Sequence, residues 1–205
     1  HDTILTSQFT GTLVAYENSN RGFTGGVVGK NTSTVRSCQA EGDIYGGYQV
    51  GGLVGLNIGS IDSSVSISRI EGRKYIGGLV GVSLRGEITK SRSAGRIRSG
   101  KHSAGLVGVC TDTHISHSFT ETELKTQFEA SAFVYTLNSN RFHSTITNCF
   151  TTASITTSNK SVIKNKEGAS IENLYWSQKT LPDLTEKEYG IPVNSTTEEI
   201  QTLLI

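Results

Sequence analysis

The sequence predicts an all-β solenoid, β-helix-like, of about six to seven coils with a short C-terminal helical cap. Two observations carry the solenoid. Five blocks say nearly the same thing: Gly25-Gly26-Val27-Val28-Gly29, Gly51-Gly52-Leu53-Val54-Gly55, Gly77-Gly78-Leu79-Val80-Gly81, Ala104-Gly105-Leu106-Val107-Gly108 and the degraded Ser131-Ala132-Phe133-Val134-Tyr135. They start 26, 26, 27 and 27 residues apart, and a fixed period in this range marks stacked repeats. The composition agrees: 23 glycines, two prolines, no methionine and abundant Ser and Thr suit short strands and tight turns rather than long helices.

Between the blocks runs a second motif. It opens on Ile4, Val35, Ile61, Ile88, Ile115, Ile146 and Ile171. Three residues on stand Ser7, Cys38, Ser64, Ser91, Ser118, Cys149 and Leu174; five on, Phe9, Ala40, Ser66, Ser93, Thr120, Thr151 and Trp176. Seven on come Gly11, Gly42, Ser68, Gly95, Thr122, Ala153 and Gln178, and nine on Leu13, Ile44, Ile70, Ile97, Leu124 and Ile155. A spacing of two places these residues on one face of a strand. The first step, of three, breaks that parity and predicts a bend. Stacked in register, the columns become buried ladders, small in the middle and large at the ends.

Each part of the coil follows from this register. The polar segments 15–22 and 138–143 are insertions and read as surface loops. At about 4.8 Å per coil, seven coils make a rod of about 35 Å. Cys38 and Cys149 share a column four coils apart, about 19 Å, against the limit of about 7 Å between Cα atoms for a disulfide. Cys110 lies elsewhere in its coil, so all three thiols are expected free and buried. In the glycine block, Leu53 and Val54 are adjacent, and in a straight strand one of them would be exposed. Either the glycines permit a tight corner that turns both inward, or an apolar strip is covered by a second domain or subunit.

At the C-terminal end, Leu174 and Trp176 replace small residues, and a Trp there can cover the last coil. The tail is expected to leave the repeat through Pro182 and Pro192. Ser195-Thr196-Thr197-Glu198 has capping-box spacing, with Ile200, Leu203 and Leu204 on one side of a short helix at about 196–204. Residues 1–180 therefore read as solenoid and 181–205 as a cap or junction. Without methionine, the chain reads as a processed protein or a piece of a longer one.

Gly-Leu-(apolar)-Gly at this period, with Ile-x-x-Ser between, resembles the GLUG repeat family over about residues 4–180. Four blocks fit well and the fifth weakly, and no block appears at Val162-Ile163-Lys164-Asn165-Lys166, where one is due. The resemblance implies a β-helix-like stalk in secreted or surface microbial proteins, among them large adhesins and immunoglobulin-A-cleaving metallopeptidases. It implies no ligand and no catalytic residue; the zinc motif of those peptidases, His-Glu-x-x-His, is not in this sequence.

Charge gives the candidate site. Net charge is +1, which argues against nucleic acid as a partner, and no apolar run is long enough to cross a membrane as a helix. Nine of the 19 Lys and Arg fall at Arg69, Arg73, Lys74, Arg85, Lys90, Arg92, Arg96, Arg98 and Lys101. Register puts Arg69 beside Arg96 and Lys74 beside Lys101, with Asp43 and Glu123 flanking the arginines. One reading is a solvated ionic ladder, Asp43–Arg69–Arg96–Glu123. The other is a stripe of Arg69, Lys74, Arg96, Arg98 and Lys101 that binds an anionic glycan or a host surface protein.

Enzyme signals are weak. Glu121 and Glu123 face Ala94 and Arg96, not a second carboxylate pair, whereas a glycosidase needs two flanking carboxyls. Asp112, His114 and His117 offer too few ligands for a metal. The blocks lack the Lys of a phosphate loop. Asn31, Asn159 and Asn194 start chance glycosylation triplets. No catalytic residue, cofactor or metal is expected. The expected role is a non-catalytic repeat module of an extracellular microbial surface protein, serving adhesion, spacing or a filament, with neighbouring domains or subunits at its ends. The alternatives are an accessory region of a secreted metallopeptidase and, third, a polysaccharide-active enzyme.

Overall fold

The computed structural model describes residues 3–15, 22–184 and 190–193. These form 23 strands in one continuous sheet. The pairings are parallel from Thr3↔Thr34 at one end to Tyr175↔Ile191 at the other, and the sheet winds into about six turns, a β-solenoid. The period sets the register directly: Ile61 lies on Val35, Ile88 on Ile61 and Ile115 on Ile88. Each turn has a short isoleucine side (Ser60–Asp62, Glu87–Thr89). It has a long side that runs on into the glycine block (Val65–Gly77, Arg92–Ala104) and a block side (Val80–Leu84, Val107–Thr111).

The predicted bend is the most regular feature of the backbone. Thr6, Ser37, Ser63, Lys90, His117, Asn148 and Asn173 all have φ between 47° and 54°. Each stands two residues after the opening Val or Ile. A left-handed L-residue costs on the order of 1 kcal/mol, and the next residue in the chain offsets it. Ser64 Oγ donates to Asp62 O at 2.9 Å, Ser91 Oγ to Thr89 O at 2.7 Å and Ser118 Oγ to Ser116 O at 2.9 Å. The same hydroxyls accept the amides of Cys38, Ser64 and Ser91 from the preceding turn, at 3.1, 3.1 and 3.2 Å. One small residue thus closes its own bend and ties two turns together, each bond contributing about 1 kcal/mol. In the same column the thiols of Cys38 and Cys149 donate to Arg36 O and Thr147 O, both at 3.2 Å.

The glycine block turns a tight corner. Leu53, Val54, Leu79, Val80, Leu106, Val107, Phe133 and Val134 are all fully buried, so the block leaves no exposed apolar strip along these turns. The glycines act by close approach, not by positive φ. A Cβ on Gly78 would collide with Gly105 O and come within 3.0 Å of Ser93 Cβ, and one on Gly105 would lie 2.9 Å from Thr120 Oγ1. This explains the small column: Ser66, Ser93, Thr120 and Thr151 are buried opposite the middle of each block. Two of them satisfy its carbonyls, Ser93 Oγ 2.7 Å from Gly105 O and Thr151 Oγ1 3.2 Å from Ala132 O, and the other two bond neighbouring hydroxyls, Ser66 to Ser68 and Thr120 to Thr122.

Where the sequence shows no sixth block, the turn persists. Val162 and Ile163 are buried, and the register shifts so that Ser131↔Ser161 is followed by Val134↔Ile163. This turn is one residue shorter at the corner, which erases the motif without breaking the stack. The three cysteines are free and buried, as their register requires.

The C-terminal end differs from expectation. The helix expected at about 196–204 falls outside the described residues, and no helix occurs among those described. Instead the chain returns to the stack: Ile191–Val193 pairs with Tyr175–Ser177, placing Pro192 on Trp176. Trp176 does not itself cover the end. It is completely buried, because this added strand gives the long side an eighth level. At the other end Ile4, Phe9 and Leu13 are only partly buried against the core.

Two substitutions separate close approach from burial. Ile88→Ala removes the centre of a ladder and should cost about 2–5 kcal/mol. Gly78→Val adds volume where the next turn's backbone already touches, and should cost at least the 1–3 kcal/mol typical of overpacking, by about the upper end of that range. Denaturant unfolding midpoints check both. A thiol reagent should find no reactive cysteine in the native chain and three after unfolding, because burial pushes the Cys149 thiol up to about 12 and Cys110 higher still.

Candidate binding groove

The outward side chains of the long side form columns that run along the solenoid axis. In one column Asp43, Arg69, Arg96 and Glu123 follow in register. The ionic ladder forms: Arg69 Nη1 is 3.4 Å from Asp43 Oδ1, and Arg96 Nε donates to Glu123 Oε2 at 2.7 Å. Lys125 Nζ reaches the other Glu123 oxygen at 3.0 Å. The bonds from Lys125 and then Arg96 hold the Glu123 carboxyl below the usual range against the opposing effect of burial. Arg92 lies 3.8 Å from Glu121. These pairs are half-exposed and, screened by solvent, contribute at most about 1 kcal/mol each.

The nine cations do not form one stripe. Arg85 and Lys90 lie at other corners of the turn, and Arg69, Arg92 and Arg96 are neutralised by carboxylates. Among the described residues Arg73, Lys74, Arg98 and Lys101 form no ion pair. Lys74 Nζ sits 4.5 Å from the Tyr75 ring centre and Lys101 Nζ 5.6 Å from that of Phe128. Beside them His102 stacks on Tyr135 at 4.7 Å and meets Tyr75 edge-on at 5.4 Å. Burial, then Lys74, lowers the His102 pKa. Tyr135 donates to Glu129 Oε2 at 2.6 Å, and burial, then that carboxylate, raises the phenol.

Next to the ladder lies a second column, Tyr45, Glu71, Arg98 and Lys125, also in register. Here the surface is concave. One open hollow of about 710 Å³ is lined by Glu71, Gly72, Arg98, Lys125, Thr126, Gln127, Phe128 and Thr156. A second, of about 500 Å³, is lined by Val14, Ala15, Tyr45, Gly46, Glu71, Gly72 and Arg73. They share Glu71 and Gly72, so a single groove runs lengthwise over six levels. Of the five residues expected to bind an anion, only Arg98 lines it. Arg69 and Arg96 belong to the ladder, and Lys74 and Lys101 lie over aromatic rings. The groove's other residues were missed, yet their signal was the same period: Tyr45, Glu71, Arg98 and Lys125 are 26, 27 and 27 residues apart.

The remaining candidates have structural roles. Asp112 is nearly buried, and its carboxylate accepts the amides of Asn140, Arg141 and Phe142, the shortest at 2.6 Å. It pins the insertion after strand Ala130–Asn138. His114 bonds Thr145 at 2.9 Å and His117 faces Asn148 at 3.4 Å. No group of three potential metal ligands occurs among the described residues. Asn31 is buried, its amide donating to Asn57 Oδ1 at 2.7 Å and Ser60 O at 3.1 Å, so in the folded chain it is closed to glycan attachment. Asn159 donates to Glu129 at 2.9 Å, and Asn194 lies outside the described residues.

Compared with family models, curated proteins and solved structures, the chain finds no match. The likeness to GLUG repeats therefore rests on the residues of the glycine blocks.

For Asp112, burial by itself would raise the carboxyl pKa. The three amides, with Arg85 nearby, outweigh it and hold the group below its ordinary value. The folded state thus binds the proton more weakly than the unfolded one. The stabilisation is present at neutral pH and is lost as pH falls below about 3.9 and through the folded pKa. An NMR titration should place the midpoint below that of a free Asp. Asp112→Asn should speed hydrogen exchange at Asn140, Arg141 and Phe142 at neutral pH by tenfold or more while leaving the core strands protected.

Proposed function

We propose that this chain is a non-catalytic repeat module of an extracellular microbial surface protein, working as a stiff adhesive or spacing segment. The observation that carries this reading is the unbroken ladder of hydroxyl bonds, Cys38 to Ser64 to Ser91 to Ser118, through the inside of the stack. Bending the rod would strain these bonds and the sheet pairings together. A carrier of exposed surface gains from such stiffness, and an enzyme scaffold needs it less. The carboxylates of the long side also fit this reading. Glu121 and Glu123 are engaged by Arg92, Arg96 and Lys125 instead of facing one another across a cleft. The likeness to GLUG repeats points the same way.

Brief trypsin treatment of intact cells of the source organism tests the location. Peptides ending at exposed sites outside the strands, such as Arg141 in the insertion, are expected in the released fraction while cytosolic markers stay inside. Recovery of the chain only after lysis would overturn the proposal.

A further inference from the structure

We propose that the axial groove beside the ionic ladder binds one linear anionic polysaccharide, lying parallel to the solenoid axis. This deepens the adhesive reading above, but it fails separately: cell treatment tests where the chain sits, and binding tests what the groove holds.

The groove crosses five strand steps from Val14 to Thr156, about 24 Å at the usual inter-strand spacing. It repeats once per turn, and a pyranose unit is about as long as one turn is high. Its floor belongs to strands whose backbone groups already pair with the turns on either side. A guest peptide has no free edge to join there, so recognition must go through side chains. Those side chains include the amide of Gln127, the carboxylate of Glu71, the guanidinium of Arg98, the ammonium of Lys125, which is shared with Glu123, and the ring of Phe128, which is 45% exposed. Amide and carboxylate suit hydroxyl groups, and an exposed ring suits the apolar face of a sugar.

Charge selects the class. Arg98 at the centre and Arg73 at one wall are exposed and form no ion pair among the described residues, so they are available to an acid group. Glu71 stands between them in the same groove. A chain with spaced acid groups can put its neutral units against Glu71, while one with a phosphate at every unit meets repulsion there. This favours an acidic polysaccharide over single-stranded nucleic acid.

Calorimetric titration of the purified chain, at low salt and at about 0.5 M NaCl, where charges more than a few ångström apart are screened, compares hyaluronate, with a carboxylate on every second sugar, polygalacturonate, with one on every sugar, neutral dextran and oligodeoxythymidine. Saturable, salt-sensitive binding of hyaluronate is expected, and weaker binding of polygalacturonate, whose every unit is charged. Arg98→Glu should weaken hyaluronate binding at least tenfold. Arg36→Glu makes the same charge change on the isoleucine side, away from the groove, and should leave binding within twofold. Phe128→Ala should weaken binding at both salt concentrations. Unfolding midpoints of the variants confirm that they fold. No binding of hyaluronate at low salt, or binding of polygalacturonate at least as tight, would overturn the proposal. Equal binding of dextran or oligodeoxythymidine, or equal losses in Arg98→Glu and Arg36→Glu, would do the same.

Discussion

A turn of this solenoid buries almost nothing until another turn lies on it at one strand spacing. Everything else depends on that approach. The parallel pairings supply it along the strands, and backbone bonds carry it through the corners, Leu53 N to Leu79 O and Ser63 N to Thr89 O among them, but each corner also needs a device that lets the chain bend at that spacing. At the isoleucine corner the device is a left-handed residue followed by a small hydroxyl that bonds back across the bend and accepts an amide from the turn before. At the block corner it is a glycine with no Cβ, opposed by Ser or Thr. The two corners solve the same problem, one by adding hydrogen bonds and the other by removing atoms.

The same constraint sorts the buried polar groups. A hydroxyl in an apolar core is costly when unpaired, yet Ser64, Ser66, Ser91, Ser93 and Thr120 are all buried. Small size is required where turns approach; Ser64, Ser91 and Ser93 then bond carbonyls at the corners, while Ser66 and Thr120 bond the hydroxyls of Ser68 and Thr122. Asn31 and Asn57 repeat the device with longer side chains, closing the loops that follow the block side. Polar residues inside this molecule are therefore part of what holds the turns together.

On the outside, stacking converts a sequence period into axial columns of like position. Opposite charges fall in adjacent levels at Asp43–Arg69 and Arg96–Glu123, so one column neutralises itself. The next column over does not: Glu71 and Arg98 also fall in adjacent levels but form no ion pair among the described residues, and Lys125 turns to Glu123 of the ladder. The two columns are two residues apart in each strand, and their different chemistry comes from the corner beside them. A smaller hollow of about 460 Å³ also lies along the ladder, but its arginines are already paired with carboxylates.

The period, the strand faces, the bend after each isoleucine, the free cysteines and the ionic ladder were all legible in the sequence. Each follows from local alternation plus a constant repeat length, which fixes register. The left-handed φ at Lys90 and His117 was not legible, because no glycine marks it and the compensating bond comes from the following serine. Nor was the turn at Val162–Ile163, where one missing residue hides the motif but the neighbouring strands still dictate the path. Burial of Asn31, the anchoring role of Asp112 and the return of Ile191–Val193 over Trp176 depend on segments 26, 28 and 16 residues apart in the chain meeting at a single point. The groove likewise arises from the cross-sectional shape of the turn. Sequence periodicity determines which residues share a column, whereas only the folded cross-section determines whether that column lies on a flat side, inside a corner or along a hollow.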